Sequence, residues 1–274
     1  MDHGPSASMK FPGYDTPDQT FSPTHSPINP AILYWGTPVA IYSTLNEDGS
    51  TNLAPGSSVW FLGHSAMVGF DGESKTPSNL RREKQMVINL PDATPAMVEA
   101  VNGLSGTTGT EVPSASKVDR GYVYVKDKWA ASGLTPQNST YIKPARVREC
   151  PVQMECELTV IHDTMSDVPD RAGLVIAVEL RVLRVHVRNE LRMKGHANRI
   201  DPDKWSPLIM NFQEFYGLDN RKVGPSKVGR IAEEKYRALT QSDAVKLNGD
   251  DGTFIDGVEE DGQGTKLRRS STQE

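Results

Sequence analysis

The sequence predicts a mainly β fold, an antiparallel barrel with peripheral α-helices. Three observations carry that prediction. Short β-branched and apolar runs recur between turn signals, as in 38–44 (PVAIYST), 66–70 (AMVGF) and 86–90 (MVINL). Strands and helices do not alternate as βαβ units, which disfavours a parallel sheet. The longest strand-like segment, 173–188 (GLVIAVELRVLRVHVR), changes face part-way, as a strand does when it bends around a barrel.

The elements follow in order. After 38–44, Asp48-Gly49 marks a tight turn and a return strand. Where that strand should carry large apolar side chains it holds Asn52, Ala54, Pro55, Gly56, Ser57 and Ser58. Between 66–70 and 86–90 lies SKTPSNLRREKQ, in which Thr76 suits an N-cap and Pro77 the first helical position. Thr94-Pro95 announces a second helix that stops near Gly103. Residues 104–120, rich in Gly, Ser, Thr and Pro, read as a loop. Residues 150–161 read as a strand, with Glu155 and Glu157 facing outward. In 173–188, Val178, Leu180 and Val182 share one parity, and Leu183, Val185 and Val187 share the other, which predicts a β-bulge between 182 and 183. KDKW (126–129) and NRIDPDKW (198–205) read as surface turns anchored by Trp129 and Trp205. The aromatic run 212–218 reads as core, with Tyr216-Gly217 a candidate contact because Gly permits close backbone approach. Residues 226–239 predict a terminal helix.

A chain of 274 residues forms one large domain or two small ones. Six prolines mark residues 1–30 as an extended or disordered arm; 31–242 form the body, and 243–274 read as a disordered acidic and polar tail. A net charge of −5 offers no basic footprint for nucleic acid and no polybasic membrane patch. No apolar run approaches the roughly 18–20 residues that span a bilayer, and the first residues lack the apolar segment of a secretory signal. Cys150 and Cys156 read as free thiols on one strand face, so a reducing, cytoplasmic setting is expected.

Two segments carry possible chemistry. At 74–79 a helix N-terminus would present free N–H groups and a positive dipole end, with Ser74, Lys75, Thr76 and Asn79 adding donors; that is a phosphate cradle. The plain alternative is a capped surface helix. At 52–58, small side chains leave the backbone open to the edge of a flat heterocycle, the plain alternative being a bend. One ligand would use both: a phosphorylated, planar cofactor. His64 falls in a turn and His162 at a strand end, while His196, in the loop RMKGHANRID, is a candidate substrate contact. No metal-protease, thiol-pair, serine-nucleophile or Rossmann motif is present.

With these residues in view, the chain resembles the flavin reductase-like proteins with an FMN-binding split barrel. The resemblance runs through ILYWGTPVAIYSTLNEDGSTNLAPGSS, SKTPSNL, MVINLP, ASGLTP, RVRECPVQMECEL, the strand ending VHVR, and IDPDKWSPLIMNFQEFYGL, about residues 31–218. It implies that Asn52 to Ser58 lie along the isoalloxazine and ribityl chain, and that Ser74, Lys75, Thr76 and Asn79 hold the phosphate of FMN. It implies a homodimer with the flavin near the subunit interface. The expected activity is NAD(P)H:flavin reduction, hydride passing from NADH or NADPH to flavin N5, with reduced FMN serving a flavin-dependent monooxygenase or passing electrons on in place. Two alternatives stay open: an FMN enzyme acting directly on an organic substrate in a biosynthetic step, and a non-enzymatic flavin-binding electron carrier.

Overall fold

A computed structural model of the chain describes residues 24–196, 198–219, 221–232 and 235–236. The chain divides into two units, Met1–Leu33 and Tyr34–Glu274. In the first, residues 24–33 hold neither strand nor helix. Most of the expected arm, and the whole expected tail from 243, lie outside the described residues.

The second unit opens with β1 (Trp35–Pro38), β2 (Ala40–Leu45), β3 (Thr51–Gly56), β4 (Val59–Leu62) and β5 (Ser65–Asp71). Helix α1 (Lys75–Glu83), β6 (Gln85–Leu90) and α2 (Pro95–Leu104) follow. An excursion comes next, made of β7 (Thr107–Thr108), α3 (Ala115–Asp119), β8 (Val123–Tyr124) and α4 (Lys128–Ser132). After it come β9 (Pro136–Gln137), β10 (Arg146–Val147), the long pair β11 (Val152–Asp163) and β12 (Val175–Val187), and a closing hairpin of β13 (Ile209–Asn211) and β14 (Glu214–Tyr216).

Seven strands form one antiparallel sheet in the order β3-β2-β6-β11-β12-β5-β4. Its two edge strands, β3 and β4, are consecutive in the chain and separated only by Ser57 and Ser58. The sheet therefore curls until its edges approach, and the seam between them stays open. Period-two alternation sorts side chains between two cores. Ala40, Tyr42, Met86, Ile88, Met154 and Cys156 fill the barrel interior. Val39, Ile41, Leu53 and Val147 pack on the other face beneath α2 and α4.

The first hairpin forms as predicted. Gly49 takes φ 82°, and Asp48 Oδ1 accepts from Ser50 N at 3.0 Å and Ser50 Oγ at 2.6 Å. Thr94 caps α2 through Met97 N. The bulge in β12 also lies where the parity slips. Glu155 pairs with Arg184 and Cys156 with Val182, so Leu183 is the extra residue. A second shift, between Leu158 and Val160 of β11, has no signal in the sequence. Trp129 and Trp205 pack against the cores as expected. Gly217 makes a close approach, but to the protein itself: a Cβ there would lie 2.9 Å from Ala93 Cβ.

Several expectations are corrected. Helix α1 starts at Lys75 with Ser74 as N-cap residue, so Thr76 and Pro77 sit inside its first turn. The 104–120 segment is not all loop, since α3 forms within it. Cys150 precedes β11 and packs in the outer core while Cys156 packs in the barrel, so the two free thiols lie on opposite faces. Among the described part of 226–239 there are only 3-10 turns, at Val228–Arg230 and at 235–236; Val228 and Ile231 are 63% and 42% exposed. The remainder of that predicted helix lies largely outside the described residues.

Glu155 is the largest correction. It does not face solvent but is fully buried under the segment 140–142. Its carboxylate accepts from Thr140 N (2.8 Å), Tyr141 N (2.7 Å) and Ile142 N (3.2 Å), and lies 2.7 Å from His186 Nε2. Burial alone would raise its pKa, but the bonds from His186, Thr140 and Tyr141 outweigh it and hold the carboxyl at about 2.

Candidate functional site

The open seam leads into a cavity of about 360 Å³, within the ordinary range for small-molecule sites. Asn52, Ala54, Pro55, Gly56, Ser57 and Ser58 line one side, from β3 and the link to β4. Ser74, Lys75 and Thr76 line another, at the start of α1. The two segments singled out in the sequence thus meet at one cavity. The remaining walls include Thr107, Thr108, Gly109, Lys117 and Lys128 of the excursion, Met210 and Phe215 of the closing hairpin, Tyr34 beside β1, and Gly69, Phe70 and Asp71 of β5.

The mouth of α1 is built to donate. Ser74 is extended (φ −71°, ψ 156°), and the first intrahelical bond runs from Ser78 N to Ser74 O at 3.3 Å. The N–H groups of Lys75 and Thr76 therefore precede the helical ladder, and Pro77 has none to offer. Thr76 is buried, and its hydroxyl accepts from Asn52 Nδ2 at 3.3 Å, which ties β3 to the helix start. Ser74 gives no side-chain cap; its Oγ instead accepts from Lys117 Nζ at 3.0 Å.

Close approach is required at three glycines. A Cβ at Gly109 would lie 2.5 Å from Asn52 Oδ1, one at Gly69 2.9 Å from Ser58 Cβ, and one at Gly56 2.8 Å from Tyr42 Cε2. Tyr42 is buried on the cavity wall with its ring edge-on to Phe70, and its hydroxyl has no partner among the described residues.

Three candidate residues stand elsewhere. Asn79 is buried but lies off the cavity lining; it donates to Thr44 Oγ1 (3.2 Å) and Asn46 Oδ1 (2.8 Å), fastening α1 to the first hairpin. Tyr216 is exposed and outside the lining, where its neighbour Phe215 stands instead, because β14 alternates. His196 sits exposed in a turn, its N–H bonded to Met193 O, and does not line the cavity of this chain.

Lys117 and Lys128 carry no signal in the sequence. The first lies in a segment read as loop and the second in one read as a surface turn, yet they are only 6% and 2% exposed. Lysines are almost never buried without a partner, so composition and spacing could not have picked them out. Lys128 Nζ donates to Thr107 Oγ1. Burial first, then the neighbouring Lys117 charge, push its pKa down to about 8. The unfolded chain therefore binds more protons than the folded one between pH 8 and 10.5, and ligand-free stability rises with pH across that window. Lys128→Met lacks this rise. The expected result is a stability gap between variant and wild type, read by urea unfolding, that narrows from pH 8 to pH 10.

The residues present fit a flat, phosphorylated ligand. One end offers hydroxyls, free N–H groups and ammoniums, and the other offers small-residue backbone and an unpartnered phenol. No group of three or more metal-ligating side chains occurs among the described residues. No described helix is long and apolar enough to cross a membrane.

Comparison with known proteins identifies the family and the fold. The chain is 40% identical over 197 residues to the protein YdfE of Bacillus subtilis (strain 168), covering 72% of this chain and 90% of that one. Flavoredoxin of Desulfovibrio vulgaris (Miyazaki F) superposes with a TM-score of 0.58 at 18% identity, covering 75% of this chain and 99% of that one. A protein of Shewanella frigidimarina NCIMB 400, assigned as a flavin reductase with split barrel domain, superposes with a TM-score of 0.54 at 16% identity, over 70% of this chain and 86% of that one. These two structures establish the shared fold, a split barrel. Residues 34–219 match the family described as flavin reductase like domain, and the chain belongs to that family.

Proposed function

We propose that this protein is an FMN-dependent oxidoreductase that draws hydride from NADH or NADPH. Family membership supports a flavin oxidoreductase. The observation that carries the finer reading is the convergence of the 52–58 strip and the α1 N-terminus on one cavity. The main chain of Ala54 to Ser58 would edge the ring, and the Lys75 and Thr76 N–H groups with the Ser74 hydroxyl would receive the phosphate. Phe215 and Met210 supply an apolar wall that keeps water from that side. FMN, when bound, supplies the hydride chemistry, and the protein binds and orients it. No nucleophile or acid–base pair is required for that task.

The test uses the purified full chain. FMN titration followed by flavin fluorescence is expected to saturate, and addition of NADH or NADPH with free FMN to give nicotinamide oxidation that rises with FMN. Saturable FMN binding with no oxidation of either nicotinamide would remove the hydride donor from the proposal and favour direct action on an organic substrate. Absence of flavin binding would remove the proposal entirely. A second copy of this chain as partner, and a flavin-dependent monooxygenase as consumer of reduced FMN, belong to the same proposal; light scattering and coupled oxygenase turnover read them out.

A further inference from the structure

Lys75 is not a free cation. Its Nζ is paired with Glu47 at 2.7 Å, and Glu47 is also held by Arg82 at 2.8 Å. The uncompensated positive charge of the cavity lies on Lys117 and Lys128. Lys117 reaches back to Ser74, the residue that starts α1, and Lys128 to Thr107. No carboxylate pairs with either among the described residues. Burying two like charges without an anion is strongly unfavourable, so the arrangement calls for a ligand that brings one.

Both lysines belong to the excursion that runs from Gly106 to Lys128. Its other ties to the sheet are weak. Arg120–Asp71 (3.3 Å) and Lys126–Asp48 (3.7 Å) are exposed ion pairs, which contribute little. Val112, Val118 and Val123 are exposed, so the excursion buries little of its own apolar surface.

We propose that Lys117 and Lys128 are the counter-ions of a terminal phosphomonoester on the bound ligand, and that this dianion pins the 106–128 excursion over the cavity. The phosphate, more than the ring, then sets cofactor choice. The proposal rests on the flavin reading above. A phosphomonoester carries a charge of about −1.5 to −2 at neutral pH and matches two ammoniums. A phosphodiester brings a single charge per phosphorus, and riboflavin brings none. Burial first, and then the neighbouring Lys117 charge, depress the pKa of Lys128, as expected for an ammonium buried here without an anion.

The experiment compares FMN, riboflavin and inorganic phosphate on the full chain and on Lys117→Met/Lys128→Met. Met keeps the length and apolar stem of Lys, and circular dichroism with a thermal melt reports that the variant folds. Wild type is expected to bind FMN about 100-fold more tightly than riboflavin, and the double variant less than about 10-fold more tightly, with riboflavin affinity little changed. Amide exchange across 106–128 is expected to slow with FMN and with millimolar inorganic phosphate, but not with riboflavin. Equal wild-type affinity for FMN and riboflavin, or an unchanged ratio in the folded double variant, overturns the proposal and leaves the flavin reading standing. Failure to bind either flavin overturns the flavin reading; protection of 106–128 by inorganic phosphate alone would then still support the lysine pair as an anion site.

Discussion

Glu155→Ala is expected to lower the free energy of unfolding by about 3–5 kcal/mol, the usual cost of removing one partner from a buried charged cluster. The loss is large because the carboxylate serves four donors at once. Without it, the N–H groups of Thr140, Tyr141 and Ile142 are left facing a cavity, and His186 loses its 2.7 Å contact. Backbone donors stranded in this way retain their full desolvation cost. For a domain of this size the melting temperature should fall by roughly 10 °C. Glu155→Gln keeps the volume but turns an amide N–H toward the same donors, so it should rescue only part of the loss.

The pH dependence supplies an independent check. The folded-state pKa of Glu155, about 2, lies below its ordinary value of 4.5. Its contribution is therefore fully present above pH 4.5 and is lost as pH falls toward 2. Unfolding curves of wild type and Glu155→Ala should converge over that window. Parallel curves from pH 5 down to 2 would show that the carboxylate is not what holds the 140–142 segment.

Under the proposed FMN reading, Gly109→Val is expected to weaken FMN binding by about 100-fold or more while leaving the fold intact. Gly109 sits where the excursion crosses β3 and the start of α1. A Cβ at this position would meet Asn52 Oδ1 at 2.5 Å and Lys75 Cγ at 3.0 Å. The Asn52–Thr76 bond leaves Asn52 little freedom to retreat, so the excursion itself must lift, taking Lys117 from Ser74 at the helix start. The two γ-methyls would also enter the cavity. Because residues 106–128 contribute little to either core, the melting temperature should move by only about 2 °C. An FMN dissociation constant within about 3-fold of wild type would show that the excursion does not close on the ligand.

Local chemistry was legible wherever one short segment decides the outcome. The Asp48-Gly49 turn, the Thr94 cap and the bulge at Leu183 each follow from a few adjacent residues, because turn geometry, capping and strand parity are local constraints. The terminal helix was not legible in the same way. Its apolar spacing is genuine, but spacing forms a helix only when a partner surface buries that stripe, and among the described residues Val228 and Ile231 stay exposed.

For the site, the sequence by itself determined which residues could edge a ring or receive a phosphate: the 52–58 strip and the start of α1. It did so through residue type alone, since small side chains expose backbone and a helix start exposes N–H groups. Tertiary structure decided which charges line that cavity unpaired. Pairing with Glu47 occupies Lys75, the buried Lys117 and Lys128 line the same cavity, and Glu155 moves from an outward strand position to the centre of a polar cluster. Each outcome depends on segments distant in sequence meeting in space, and burial and charge pairing are properties of that meeting.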